Sequence, residues 1–373
     1  YYGRPIIGWK SEIEKLNYED VINFYKKNYS PNNAILILTG DINLLGVNDP
    51  KIPFAQIGPT LKKADLVISN FECCLYEPDE ERSIHDEGFY ANLASGETLL
   101  EGGIGIIGNA NNVNFGASAI RSSCARLDEL GIPHAGAGVD RKSAYAPVFV
   151  EVDKVKYGFM QRSSVYWSHG GHEATDDHPG IAIVQAHTAY KPLVTETKTL
   201  TRPGNPPEII TWCETSSMQA YQDDLAVARK QCDVLIASNH WGCGHDVLQY
   251  MEELGRAAID AGADVVMGHG PHFPLPVEVY KGKPIFYSLG SFSFHTGHRA
   301  QKHPDWIGFM PKLTVEDNKV TAARFALVRH NEKNETYFVS PANETMELEK
   351  VYGPSEVYGT KYSIDGDNVV VTL

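Results

Sequence analysis

The sequence predicts an α/β protein whose main strands run parallel and end at a common edge, and three observations carry that reading. First, Asp233-Val-Leu-Ile-Ala-Ser-Asn-His240-Trp241-Gly and Ala263-Asp-Val-Val-Met-Gly-His269-Gly-Pro-His272 are apolar runs, each ending in a histidine-bearing loop. Second, the stretch between them, Asp246 to Ala261, has the spacing of an amphipathic helix and is closed by Gly262. A strand, a helix of that length and a second strand form a βαβ unit, which brings both strand C-termini to one sheet edge, where α/β proteins bind ligands. Third, Pro284-Ile-Phe-Tyr-Ser-Leu-Gly-Ser-Phe-Ser-Phe294 reads as one further strand followed by His295 and His298, so five of the fourteen histidines fall just after strands. A histidine taken alone is more often a satisfied core or surface imidazole than a ligand. Clustered imidazoles are a different matter, because they are the commonest nitrogen ligands of zinc, manganese and iron, and Gly268-His-Gly-Pro-His uses glycine and proline to turn two rings toward one point.

The remaining elements follow in chain order. Residues 1–33 look foreign to the rest: a helix is expected from near Asn17 to before Ser30-Pro31, and the segment reads as an appendage preceding a domain over 34–373. Ala34-Ile-Leu-Ile-Leu-Thr39 is a buried strand that opens into Gly40-Asp41-Ile-Asn43. Asp41 is then either the side chain of an Asx turn or a metal-binding or catalytic carboxylate. After a helix expected near Phe54 to Lys63, the strand Ala64 to Ser69 ends in Asn70-Phe-Glu72. A carboxylate directly after so apolar a strand needs solvent, a cation or a donor, which makes Glu72 a second candidate ligand. Gly105-Ile-Ile-Gly leads into the asparagine-rich loop Asn109 to Gly116, with Asn111 and Asn112 as candidate amide groups, and a helix follows over about Ala117 to Leu130. Strands are expected around Pro147 to Val152 and Tyr157 to Gln161, and the loop after them, containing Trp167, has the glycine and aromatic content of a substrate-facing wall. A helix over about Ser217 to Gln231 precedes the histidine-bearing unit, and the tail from Pro311 to Leu373 reads as edge strands and loops.

Composition narrows the partners. A formal charge of −14 opposes nucleic-acid and anionic-membrane partners through self-repulsion. No apolar run approaches the roughly 18 to 20 residues of a membrane span, which favours a soluble, cytoplasmic chain; a processed, exported form fits the same sequence. Six cysteines without a Cys-x-x-Cys pair read as reduced structural thiols. The sequence says nothing of oligomeric state.

Taken in order, Gly40-Asp41, Asn70-Phe-Glu72, Ala110-Asn-Asn, His240-Trp-Gly, Gly268-His-Gly-Pro-His and Tyr287-Ser-Leu-Gly-Ser-Phe resemble the motif series of CapA-type proteins, named for poly-γ-glutamate capsule synthesis, of the calcineurin-like metallophosphoesterase superfamily. The resemblance spans roughly Ala34 to Val315. It implies a four-layer αββα sandwich, with a dinuclear centre held by Asp41, by Glu72 between the metals, and by Asn112, His240, His269 and His272. It implies one or two divalent ions, Mn, Zn or Fe, and a peptide or polyglutamyl substrate, for which Asn70, Asn111, Trp241, His298 and Trp167 are assigned to the substrate side. Residues 1 to about 40 separately resemble a non-catalytic segment of pitrilysin-type zinc peptidases, without those enzymes' His-x-x-Glu-His motif.

This chain departs from the family pattern at three positions. Asn43 stands where the superfamily's first motif usually carries a histidine, Val113 where CapA proteins have the histidine of Asn-Asn-His, and Gly270 where Gly-His-His-Pro-His has its second histidine. Valine cannot carry a proton. On these points the chain resembles lasso-peptide epimerases, which implies a metal-free alternative: Asp41 paired with His295, or with His269, exchanging a proton at a peptide Cα. A metal-dependent hydrolase is the first expectation, the epimerase the second, and a non-catalytic capsule- or peptide-binding protein the third.

Overall fold

The computed structural model describes residues 17–19, 33–78, 89–168, 171–191, 208–242, 244–297 and 301–373. The chain divides into two compact units, Tyr1–Asn33 and Ala34–Leu373. The helix expected before Ser30, all but three of residues 1–32, Cys243 and His298 lie outside the described residues.

The chain of the larger unit starts in one sheet, crosses to a second, and returns. Strands β1 (Asn33–Ile42), β2 (Leu66–Phe71) and β3 (Ile106–Gly108) pair in parallel in the first sheet. Strands β4 (Val155–Ser163), β5 (Val234–His240), β6 (Val265–His269) and β7 (Lys283–Phe286) pair in parallel in the second. Strands β8 (Ser291–Ser293), β9 (Ile307–Glu316) and β10 (Lys319–His330) rejoin the first. Three helices matter for the site's support: α1 (Ala117–Glu129), α2 (Thr215–Arg229) and α3 (Gln249–Asp260).

The two-residue period of the strands decides the layering, because successive side chains point to opposite faces. Leu36, Leu38, Leu66, Ile68 and Ile106 of the first sheet share one core with Tyr157, Phe159, Val234, Ile236, Val265 and Met267 of the second. The alternate residues Ile37, Val67 and Ile107 pack outward with Phe54, Leu99 and Leu127. On the far side, Leu235, Ala237 and Val266 pack with Leu225 and Ala228 of α2 and with Met251, Leu254 and Ala258 of α3. The result is a four-layer αββα sandwich, as the family resemblance implies. Each of the larger aliphatic side chains among these contributes roughly 1.5–3 kcal/mol by leaving water, so strands buried on both faces read as near-continuous apolar runs.

The structure corrects three expectations. Pro284 to Phe294 is two strands, not one. Leu289 donates its N–H to Gly268 O at 2.9 Å, and Gly290 O accepts from Asp41 N at 3.0 Å, so the chain passes from one sheet to the other between Phe286 and Ser291. The tail contains β9 and β10, long strands inside the first sheet next to β1, and a helix over Thr345–Ser355 rather than edge strands and loops alone. The helix expected at 54–63 is a four-residue turn of helix, Gly58–Leu61, flanked by turns. Cys73, Cys124, Cys213 and Cys232 are free thiols. Among the described residues no helix is long and apolar enough to cross a membrane.

Candidate active site

The site lies where the inward-facing rows of the two sheets run out of apolar residues. In the second sheet those rows continue from Tyr157 and Phe159 to Gln161, from Val234 and Ile236 to Ser238 and His240, and from Val265 and Met267 to His269. In the first sheet the row Leu66, Ile68 continues to Asn70 and then Glu72. Strict alternation from Leu36 and Leu38 would aim Asp41 outward. The register of β1 against β2 shifts between Thr39 and Asp41, and this bulge turns the carboxylate inward while Ile42 joins the outer core. Gly40 permits it, since a β-carbon there would collide with the carbonyl oxygen of Gly290.

Asp41 and Glu72 are both buried, and His272, His240 and His269 surround them. Asp41 Oδ2 lies 3.1 Å from His272 Nδ1, and Glu72 Oε1 lies 3.8 Å from His272 Nε2 and 4.0 Å from His240 Nε2. His240 Nδ1 and His269 Nδ1 approach to 3.0 Å. Two groups that could hold an ion result, Asp41 with His240 and His269, and Asp41 with Glu72 and His272, so Asp41 rather than Glu72 is common to both. Asp41 Oδ2 and Glu72 Oε2 are buried without a well-directed hydrogen bond.

Electrostatics separate the two carboxyls. Burial works to raise the Asp41 pKa, but His272, His240 and the Asn70 amide together outweigh it and hold the group below its ordinary value. Burial and the neighbouring Asp41 push Glu72 well above its own. Burial also depresses the imidazoles: His240 falls well below the usual value, helped by His269, and His269 falls to about 3, helped by His272. Neutral imidazoles beside the ionised Asp41 match the protonation state that metal ligation requires, whereas Glu72 would have to lose its proton to join them. The donor set of carboxylate oxygen and imidazole nitrogen, with two orphaned buried oxygens, fits divalent ions.

A relay of amides fixes the cluster, and its polarity follows from one backbone group. Ala110 N–H donates to Gln161 Oε1 at 2.9 Å, so Gln161 Nε2 is the donor to Asn70 Oδ1 at 2.9 Å. Asn70 Nδ2 then donates to Asp41 Oδ1 at 2.7 Å. Gln161 Nε2 also lies 2.9 Å from His269 Nε2, which meets Ser238 Oγ at 2.8 Å.

Several assigned residues take other parts. Asn112 Oδ1 faces His240 Nε2 at 2.8 Å, so the amide oxygen expected on a metal orients His240 instead. Asn111 donates to Phe71 O at 2.9 Å and is fully enclosed, as is Asn70, so both brace the site from behind. Trp241 is 0% exposed and its indole donates to Tyr287 O at 2.7 Å; it belongs to the core, not to a substrate face. Trp167 is 58% exposed and donates to Asn112 O at 2.9 Å, at the rim beside His240's partner. His295 is buried edge-on against His330, with ring centroids 5.5 Å apart; the histidine beside Asp41 is His272. Asn43 binds Glu72 O at 3.1 Å and accepts from Leu45 N at 2.7 Å, so it shapes the turn that carries Glu72. Gly270 has φ +113, and a β-carbon there would lie 2.8 Å from Trp241 O, which explains why no second histidine stands in this chain's Gly268-His-Gly-Pro-His. Gln161 and Ser238 were not singled out from sequence, although their even spacing from apolar inward residues is a readable signal.

An αββα sandwich with carboxylates and imidazoles gathered at strand C-termini between its sheets defines the class of protein. A family model described as bacterial capsule synthesis protein PGA_cap matches residues 20–296, and the chain belongs to that family. It is 25% identical over 250 residues to the PGA biosynthesis protein CapA of Bacillus subtilis (strain 168), covering 65% of this chain and 57% of that one. It is 26% identical over 254 residues to the capsule biosynthesis protein CapA of Bacillus anthracis, covering 65% and 54%. A probable polyglutamine synthesis accessory protein of Mycobacterium tuberculosis (strain CDC 1551 / Oshkosh) is 28% identical over 206 residues, 52% of this chain and 45% of that one. The matched region thus spans about half the length of these relatives. A solved structure titled as a novel phosphatase, from Mycoplasma pneumoniae, superposes with a TM-score of 0.46 at 13% identity, covering 82% of this chain and 96% of that one.

Proposed function

We propose that the chain is a metal-dependent hydrolase that cleaves an amide or ester bond in a peptide-like or polyglutamyl substrate. The observation that carries this reading is the pair of candidate ligand groups sharing Asp41, in which Glu72 Oε2 is buried without a partner and Asp41 Oδ2 has only His272 beside it. Asp41, Glu72, His240, His269 and His272 would hold one or two ions of the Mn, Zn or Fe class. When bound, such ions supply a water that ionises near neutral pH and positive charge for a developing oxyanion. The chain's own groups do the positioning: Asn70 holds Asp41, and Asn112 and Ser238 orient His240 and His269. Exposed Trp167 offers a flat face at the rim for a peptide-like chain. The substrate class is taken from the names of the capsule and polyglutamine relatives, and it is tested directly. Protein loaded with Mn, Zn or Fe is incubated with poly-γ-glutamate and with glutamyl peptides and esters, and products are identified by mass spectrometry. Cleavage that a chelator abolishes and one metal restores is expected; a metal-replete protein that cleaves none of them sinks the hydrolase.

A second reading, metal-free epimerisation of a peptide Cα, is favoured by the 3.1 Å approach of His272 to Asp41. This carboxylate and imidazole would act together as the base on one face of the Cα, with His272 in the place expected of His295, and solvent would return the proton to the opposite face. Its signature is solvent deuterium entering a substrate Cα in the presence of chelator, lost in Asp41→Asn.

A further inference from the structure

We propose that Trp306 is a positioning residue for His272 and that the turn carrying it belongs to the ligand site. The inference rests on the metal-site reading above. A ligating imidazole ordinarily has its second nitrogen hydrogen-bonded to an acceptor that fixes the ring, as Asn112 does for His240. For His272 the acceptors at hand are Asp41, itself a member of the ligand set, and the more distant Ser291 hydroxyl. Its Nδ1 faces Asp41 Oδ2 at 3.1 Å and its Nε2 faces Glu72 Oε1 at 3.8 Å, so both nitrogens point into the carboxylate cluster, with Ser291 Oγ at 3.4 Å from Nδ1. Its backbone, at φ +64, lies in the left-handed region that residues with a β-carbon disfavour, so backbone preference does not set the ring direction either.

Flat contacts do that instead. The His272 ring stacks on Trp306 with centroids 4.5 Å apart and planes within 10°. Phe294 meets the imidazole edge-on at 4.9 Å and the indole at 5.2 Å. His303 stacks on the same indole at 3.7 Å, also within 10°. The turn is fastened to the end of β10: His303 O lies 2.6 Å from His330 Nε2, and Arg329 donates to Asp305 O at 2.7 Å. Arg329 is itself gripped by both carboxylate oxygens of Glu344, at 2.6 and 2.7 Å. A stacked aromatic pair restricts rotation of the imidazole without occupying either nitrogen, which leaves both free to face the cluster.

The test compares wild type, His272→Ala, Trp306→Leu and Trp306→Phe by equilibrium titration with Mn(II) and Zn(II), with ions per chain counted by elemental analysis and folding followed by circular dichroism. Leucine fills space without stacking; phenylalanine stacks. We expect Trp306→Leu to reproduce the weakened binding of His272→Ala, at least tenfold, while Trp306→Phe stays within about threefold of wild type. Trp306→Leu binding like wild type while His272→Ala is defective overturns this inference alone, as does a folded Trp306→Phe no better than Trp306→Leu. Wild type without metal, or His272→Ala indistinguishable from it, overturns the ligand assignment and this inference together.

Discussion

At the scale of single residues, the amides behind the two carboxylates are buried along with the groups they bond, so the energetics there are asymmetric: removing one polar group strands the next. Gln161 is the clearest case, because it takes the Ala110 N–H, donates to Asn70 and sets its amide nitrogen 2.9 Å from His269 Nε2. Gln161→Leu keeps comparable volume but leaves a buried donor and weakens the support of Asp41. We predict a stability loss of about 1–3 kcal/mol by urea unfolding and metal affinity weaker by about 10–100-fold. Unchanged affinity in the folded variant would remove the amide relay from the account. Residue-level legibility was uneven for a physical reason. Asp41, Glu72, His240, His269 and His272 could be read because each follows an apolar strand and carries ligand chemistry. Trp306 could not, since it follows no apolar strand and works only through a stack across the fold. Trp241 was misread because an aromatic beside a ligand histidine, at a strand end, can face either the cleft or the helices, and here it faces the helices.

At the scale of elements, the loop that follows β4 is anchored through His172. Its Nδ1 accepts from Trp167 N at 3.0 Å and its Nε2 lies 3.0 Å from Asn114 O, so the neutral form is built into the loop. Burial, opposed by the backbone carbonyls of Asn114 and Asn111, pushes its pKa down from 6.5 to about 4. In the unfolded chain the imidazole protonates near its ordinary value while in the folded chain it stays neutral to about 4, so the unfolded state binds more protons between those values. Stability is therefore full above about 6.5 and falls by roughly 3 kcal/mol as pH drops to about 4. His172→Gln should lack that component, and the difference in Tm between wild type and variant should shrink from pH 7.5 to pH 4.5; a constant difference would refute it. The segment Pro284 to Phe294 shows what periodicity misses at this scale. Its run of apolar and small residues looks continuous, and nothing in it marks the passage from one sheet to the other, which is set by the bonds of Leu289 to Gly268 and of Gly290 to Asp41.

At the scale of the molecule, two sheets packed on one shared core bring their strand ends together, and the switch of sheets after β7 ties the two at Asp41. The layered architecture was legible because both faces of the central strands are apolar; the inward turn of Asp41 was not, since it depends on a bulge rather than on alternation. The central claim is that Asp41 is the group shared by two metal-ligand sets. The most direct test measures metal content of wild type and Asp41→Asn after equilibration with Mn(II), Zn(II) or Fe(II) and removal of free ion, with circular dichroism confirming the fold. The account predicts bound metal in wild type and loss of every bound ion in Asp41→Asn, because both sets lose a charged ligand at once. Wild type that retains no metal, or a folded Asp41→Asn that retains as much as wild type, would contradict it.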